Sequence, residues 1–89
     1  MPRPWEADPT AEPRRRLGRS ALELGDTSAG PTCPDIWELS NGDIAIIGRD
    51  LTAAYDGRLP DGVDVGPDER LVVISRRMLV AAKPDIPDA

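Results

Sequence analysis

Large apolar residues are scattered up to position 35 and dense from Ile36 onward, where turn residues break them into short runs. Before that boundary the aliphatic cluster is Leu17, Leu22 and Leu24. So few large side chains do not offset an ordering cost of about 1–2 kcal/mol per residue. Residues 1–35 therefore read as a disordered N-terminal arm. Within it, Ser20 to Leu24 has the form of one capped helical turn, with Ser20 as N-cap, Glu23 closing a capping box and Gly25 as the stop. A single turn is unstable alone and forms only against a partner.

From Ile36 the pattern predicts a small α+β domain over residues 36–89, in the order ββαββα. Ile36–Leu39 and Ile44–Ile47 read as a hairpin. Asn41-Gly42 between them suits the two positive φ values of a type I′ turn. Asp50 is placed to cap a helix through Leu51 to Tyr55, ended by Gly57. Val63 and Val65 alternate with Asp64 as in a half-buried strand. Leu71–Ile74 is the strongest strand, and Ser75 caps a last helix over Arg76 to Ala82. Pro84 closes it and leaves an extended tail. Apolar quartets such as 44–47 and 71–74 suit burial on both faces, which one thin sheet with two short helices supplies poorly. A homodimer that adds the missing layer is expected.

Composition narrows the classes. The 89 residues carry 11 Lys+Arg against 16 Asp+Glu, a net charge of −5. No apolar stretch approaches the roughly 18 residues of a membrane span, and the first residues contain no apolar leader segment. The expected location is cytoplasmic. One cysteine makes no internal disulfide, and the chain has no histidine. The commonest zinc ligand and the commonest general base are thus missing. Cys33 stands beside Asp35, the wrong charge for a reactive thiol. Asp61, Asp64 and Asp68 recur in a Gly/Pro-rich stretch but lack the twelve-residue spacing of a calcium loop, so they read as turn carboxylates. No phosphate-binding glycine motif occurs. No catalysis, no metal and no cofactor are expected.

Binding features remain. Arg14, Arg15, Arg16 and Arg19 concentrate charge in the arm, and Trp5 has no nearby apolar sequence to pack on. These five residues are the expected contacts for another protein. Trp37, on a strand, is expected in the core. Residues 43–49 and 70–76 echo each other as an apolar quartet, a small residue and an arginine.

The run Asn41 to Ile47, then Leu51, then Leu59 to Val65, then Leu71-Val72-Val73 resembles the AbrB/MazE swapped-hairpin pattern. That resemblance implies an interlocked dimer that binds DNA as a regulator or antitoxin, with Arg49, Arg76 and Arg77 as its basic residues. The net negative charge opposes a duplex-binding surface. The framework of residues 33–89, together with ten arginines' worth of basic charge carried almost without lysine, also resembles small actinobacterial proteins, which implies no activity. The leading expectation is a non-catalytic accessory or regulatory protein that binds another protein. The alternative is a DNA-binding regulator of swapped-hairpin type.

Overall fold

The computed structural model describes residues 4–27 and 34–88. Cys33 lies outside the described residues. The fold is α+β, as the pattern predicts, but its elements begin well before Ile36. Strand β1 (Pro13–Arg16) pairs antiparallel with β2 (Asp35–Leu39), which pairs antiparallel with β3 (Ile44–Ile47) in a sheet ordered β1-β2-β3. Two-residue strands β4 (Arg49–Asp50) and β5 (Val72–Val73) form a second, minimal sheet. Helix α1 (Ala21–Leu24) follows β1, and helix α2 (Arg76–Ala82) runs into a 3-10 turn at Lys83–Asp85.

The arm boundary at residue 35 is where the structure departs most from the sequence reading. The buried core consists of Leu17, Ala21, Ile36, Met78 and Ala82, with Leu24 and Ile74 packed against it. Two of those buried residues come from the stretch that composition alone leaves unfolded. Their partners, Met78 and Ala82, are some sixty positions away in sequence, and a local count of apolar residues does not register such pairing. β1 is also built unlike an ordinary strand. It is Pro-Arg-Arg-Arg, exposed throughout, with a register shift between Pro13 and Arg15. Charge, proline and irregularity are the usual protections of an edge strand, and they hide it from a search for apolar alternation.

Helix α1 forms as its caps require. Glu23 N donates to Ser20 Oγ at 3.2 Å, and Ser20 N donates to Glu23 Oε1 at 3.1 Å, which closes the capping box. At the other end Gly25 N donates to the Leu22 carbonyl and Asp26 N to the Ala21 carbonyl, the paired bonds of a Schellman cap. The tertiary partner that a single turn needs is the core, where Ala21 is buried. Helix α2 has the expected bounds, with Ser75 Oγ accepting from Met78 N.

Three other elements differ. The 41–42 turn is not type I′, because Gly42 alone has positive φ, at 91°. Leu39 N donates to the Asp43 carbonyl and Gly42 N to the Leu39 carbonyl, so the loop has three residues with glycine in the left-handed position. Residues 52–57 form successive turns in place of a helix. Asp50 Oδ1 accepts from Thr52 N at 3.0 Å as expected of a cap, but the Thr52 hydroxyl is itself the acceptor for Leu71 N at 2.8 Å. That bond ties the segment to the chain entering β5, and the few residues before Gly57 are too short to propagate a helix. Val63 and Val65 form no strand, since no strand lies alongside them to pair with.

Strand alternation decides which side chains meet the core. Ile36 points inward and is buried, so its neighbour Trp37 points to the opposite face. There Trp37 is half-buried beneath Arg16, whose guanidinium lies 4.8 Å from the ring centre. The tryptophan expected in the core therefore packs under a cation on the outer face.

Candidate protein-binding groove

Ile46 stands opposite Ile36 and Ile44 opposite Glu38 across the β2–β3 ladder, so all four share the core-side face. Helix α2 covers that face over Ile36 with Met78 and Ala82 but stops short of β3. What remains is a groove of about 420 Å³, floored by Leu17, Ile36, Ile44 and Ile46 and walled by Leu79 and Ile86. Ile44, Ile46, Leu79 and Ile86 are 45%, 46%, 53% and 48% exposed, half in contact with the fold and half open.

The wall is held by polar clips. Arg15 Nε donates to Glu38 Oε1 at 3.0 Å, and Arg15 Nη2 donates to the Asp85 carbonyl at 2.8 Å. Gly18 N donates to Asp85 Oδ2 at 2.7 Å. The C-terminal segment, expected as an extended tail, is fastened to β1 and the residues after it. Ile86 in the groove wall depends on those bonds. The sequence signal for it is slight: one apolar residue two places beyond Pro84.

The five expected contact residues do not gather. Arg15 is engaged as above on the core side. Arg16 donates to Asp35 through Nε at 2.9 Å and Nη2 at 3.0 Å on the other face. Burial raises the Asp35 pKa, but the hydrogen bonds from Arg16 and Trp37, with the nearby positive charge, hold it below the ordinary value overall. Arg14 and Arg19 are exposed; the Glu23 pKa is lowered first by its hydrogen bonds with Ser20, and the Arg19 charge adds to that. Trp5 is exposed at 62% yet anchored, its Nε1 donating to Asp43 Oδ2 at 3.3 Å beside the hairpin turn. Within the cluster, Arg15 and Arg16 tie β1 to β2, and Arg15 also reaches the C-terminal segment.

Of the three arginines implied by the swapped-hairpin resemblance, Arg49 and Arg77 line one hollow of about 310 Å³, and Arg76 lies on the helix beside them. Asp26 occupies the same hollow. It accepts from Arg77 Nε at 2.6 Å and from the Ser75 hydroxyl. The hydroxyl bond first, and then Arg77, holds the Asp26 carboxyl below its ordinary pKa. This carboxylate joins the end of α1 to the start of α2, a connection that nothing in the local sequence signals.

A carboxylate whose pKa is lower folded than unfolded contributes stability above its unfolded value, near pH 4. That contribution is lost as pH falls through the folded value. Asp26→Asn is accordingly expected to lower the urea midpoint at pH 7. The same variant should show a flatter loss of stability than the parent below about pH 4. Urea titrations from pH 7 to pH 2 on both proteins check this, and parallel curves would contradict it.

Asp50, Asp56, Asp61 and Asp64 border a separate, wide hollow with Arg70. Among the described residues no group of three or more His, Cys, Asp or Glu side chains is arranged to hold a metal ion. Among them, too, no helix is long and apolar enough to cross a membrane. Comparison of the chain with protein-family models, curated proteins and solved structures found no match.

Proposed function

We propose that this protein is a non-catalytic accessory or regulatory module that binds another protein in the groove between β3 and α2. The observation that carries this reading is the row of half-exposed Ile44, Ile46, Leu79 and Ile86 around one continuous apolar hollow. Isolated surface aliphatics are ordinary, whereas a contiguous apolar depression with a charged rim is the usual form of a docking surface. Glu38, held by Arg15, supplies that rim. An apolar helix or strand that inserts one or two large side chains fits the depression. A chain without histidine and with a single cysteine suits binding in the reducing cytoplasm better than catalysis or a disulfide-built secreted role.

The test is a photo-reactive residue placed in living cells at Leu79 or Ile86, with Asp61 on the acidic loop as the control. The expected result is a covalent adduct with one protein of different mass from positions 79 and 86 and none from 61. Equal labelling from all three positions, or adducts only with the chain itself, contradicts the reading.

A further inference from the structure

β3 is the outer strand of its sheet, and its backbone polarity follows from the hairpin. Leu39 N bonds to the Asp43 carbonyl, which makes 39 and 43 a hydrogen-bonded pair. Along an antiparallel ladder such pairs alternate. With the register 37 to 45 and 35 to 47, the amides and carbonyls of Ala45 and Ile47 point toward β2. Those of Ile44 and Ile46 point outward, and they have no backbone partner among the described residues. Leu51 N bonds to the Leu71 carbonyl, so beyond Gly48 the odd positions face β5 and keep the parity of Ala45 and Ile47.

That edge is short but lacks the charge and proline that usually blunt an edge strand. It has no proline, no lysine and no charged side chain between Asp43 and Arg49. β1, on the opposite edge, has a proline, three arginines and a register shift, so the two edges of the sheet are built differently.

We propose that β3 is the seam of a twofold-symmetric homodimer, in which two copies pair their β3 strands antiparallel with Ile46 on the axis. The register follows from two independent features. Only even positions offer outward backbone groups, so the axis must fall where even positions meet even positions. Centred on Ile46, Ile46 exchanges both bonds with Ile46 of the partner, and Ile44 pairs with Gly48 of the partner. The same register sets Asp43 directly opposite Arg49 of the partner, twice across the axis. Both side chains suit that role. Asp43 receives Asn41 and Trp5 on Oδ2, which leaves Oδ1 to accept. The Arg49 side chain has no hydrogen bond or ion pair among the described residues. Isologous pairing of this kind joins two three-stranded sheets into one of six and removes the open edge. It is independent of what the groove binds, although the two grooves then lie side by side across the seam.

The test is sedimentation of the full chain over a concentration series, for the parent and for Arg49→Asp and Asp43→Arg. The parent is expected to dimerise. Each single reversal places like charges opposite each other at both ends of the seam and should weaken dimerisation on the order of 10-fold. An equimolar mixture of the two variants restores opposite charges at both ends, and its heterodimer should regain the parent affinity. A parent that stays monomeric at every concentration overturns the proposal. So does a mixture that associates no better than either variant alone, which would mean another surface or register. Without any variant, amide exchange at Ile44 and Ile46 should slow as concentration rises, and unchanged rates there also overturn it. These outcomes leave the groove adducts from Leu79 and Ile86 to stand or fall separately.

Discussion

Leu17→Ala is expected to destabilise the protein by about 2–5 kcal/mol, the range for truncating a fully buried leucine. Leu17 is 1% exposed and, with Met78, one of the two largest side chains fully enclosed by the fold. It lies between β1 and α1, against Ile36 from β2 and Met78 and Ala82 from α2. No neighbour can collapse into the space, because two of its core neighbours are already alanines and Ile36 is fixed in the ladder. A small domain stabilised by roughly 0.05–0.15 kcal/mol per residue loses a large share of its margin to such a change. Leu22, only five residues on, is 58% exposed. Leu22→Ala should accordingly stay within about 0.5 kcal/mol of the parent. Chemical denaturation of both variants, followed by circular dichroism, separates the two expectations. Equal midpoints for Leu17→Ala and Leu22→Ala would mean that the first 24 residues are not part of the fold. Removal of those residues should unfold the remainder, since Ile36, Met78 and Ala82 would lose the layer that covers them.

Gly18→Ala is expected to cost about 2–4 kcal/mol, from a left-handed backbone and a steric conflict together. Gly18 has φ +79°, and a Cβ there would stand 2.7 Å from the backbone nitrogen of Ala82 and 2.8 Å from the carbonyl carbon of Ala81. Those are main-chain atoms of α2 and cannot rotate aside. The helix would have to move away from β1, which opens the core at Ala82 and strains the Gly18–Asp85 bond that holds the groove wall. Gly25 is the internal control. Its φ is nearly the same, at +78°, but a Cβ would meet nothing within 4 Å. Gly25→Ala should cost only the conformational part, about 1–2 kcal/mol. The difference between the two variants in thermal or urea unfolding measures the close approach of the chain to α2. A Gly18→Ala variant no worse than Gly25→Ala would show that contact to be absent.

Both positions show where the sequence is legible and where it is not. Gly25 was readable as a helix stop because its reason is local: Ser20, Glu23 and Gly25 spell one capped turn within six residues. Gly18 gives no such signal, since what it must avoid is a helix more than sixty residues away. The same contrast runs through the fold. Helix α2 is legible because Ser75 and Pro84 frame it and Met78 and Ala82 repeat at helical spacing. The β2–β3 hairpin is legible from its glycine turn, although the loop has one residue more than a type I′ connection. The expected helix at 51–55 is replaced by turns, because a single i→i+4 bond, from Tyr55 N to the Leu51 carbonyl, forms before Gly57.

For the groove, the sequence supplied the parts and not the arrangement. The apolar quartet 44–47 signalled more burial than a thin monomer provides, and β3 is indeed left half open on both faces. Of the residues emphasised in the first 19, Trp5, Arg14 and Arg19 stay exposed. Arg15 and Arg16 meet Glu38 and Asp35, and so act as ties within the fold.

By itself the sequence determined the mixed α+β character, the caps of both helices, the hairpin and the acidic charge. Each of these depends on residues within a few positions of one another, where propensity and hydrogen-bonding geometry act directly. Tertiary structure alone decided that residues 13–24 belong to the fold, with Leu17 and Ala21 in its core. It also decided that Asp26 bridges two helices, that the C-terminal segment walls a groove, and that β3 lies at the edge of its sheet. Those features rest on partners far apart along the chain. Bringing them together costs closure entropy that only the assembled set of contacts offsets, so no single stretch of sequence carries their signal.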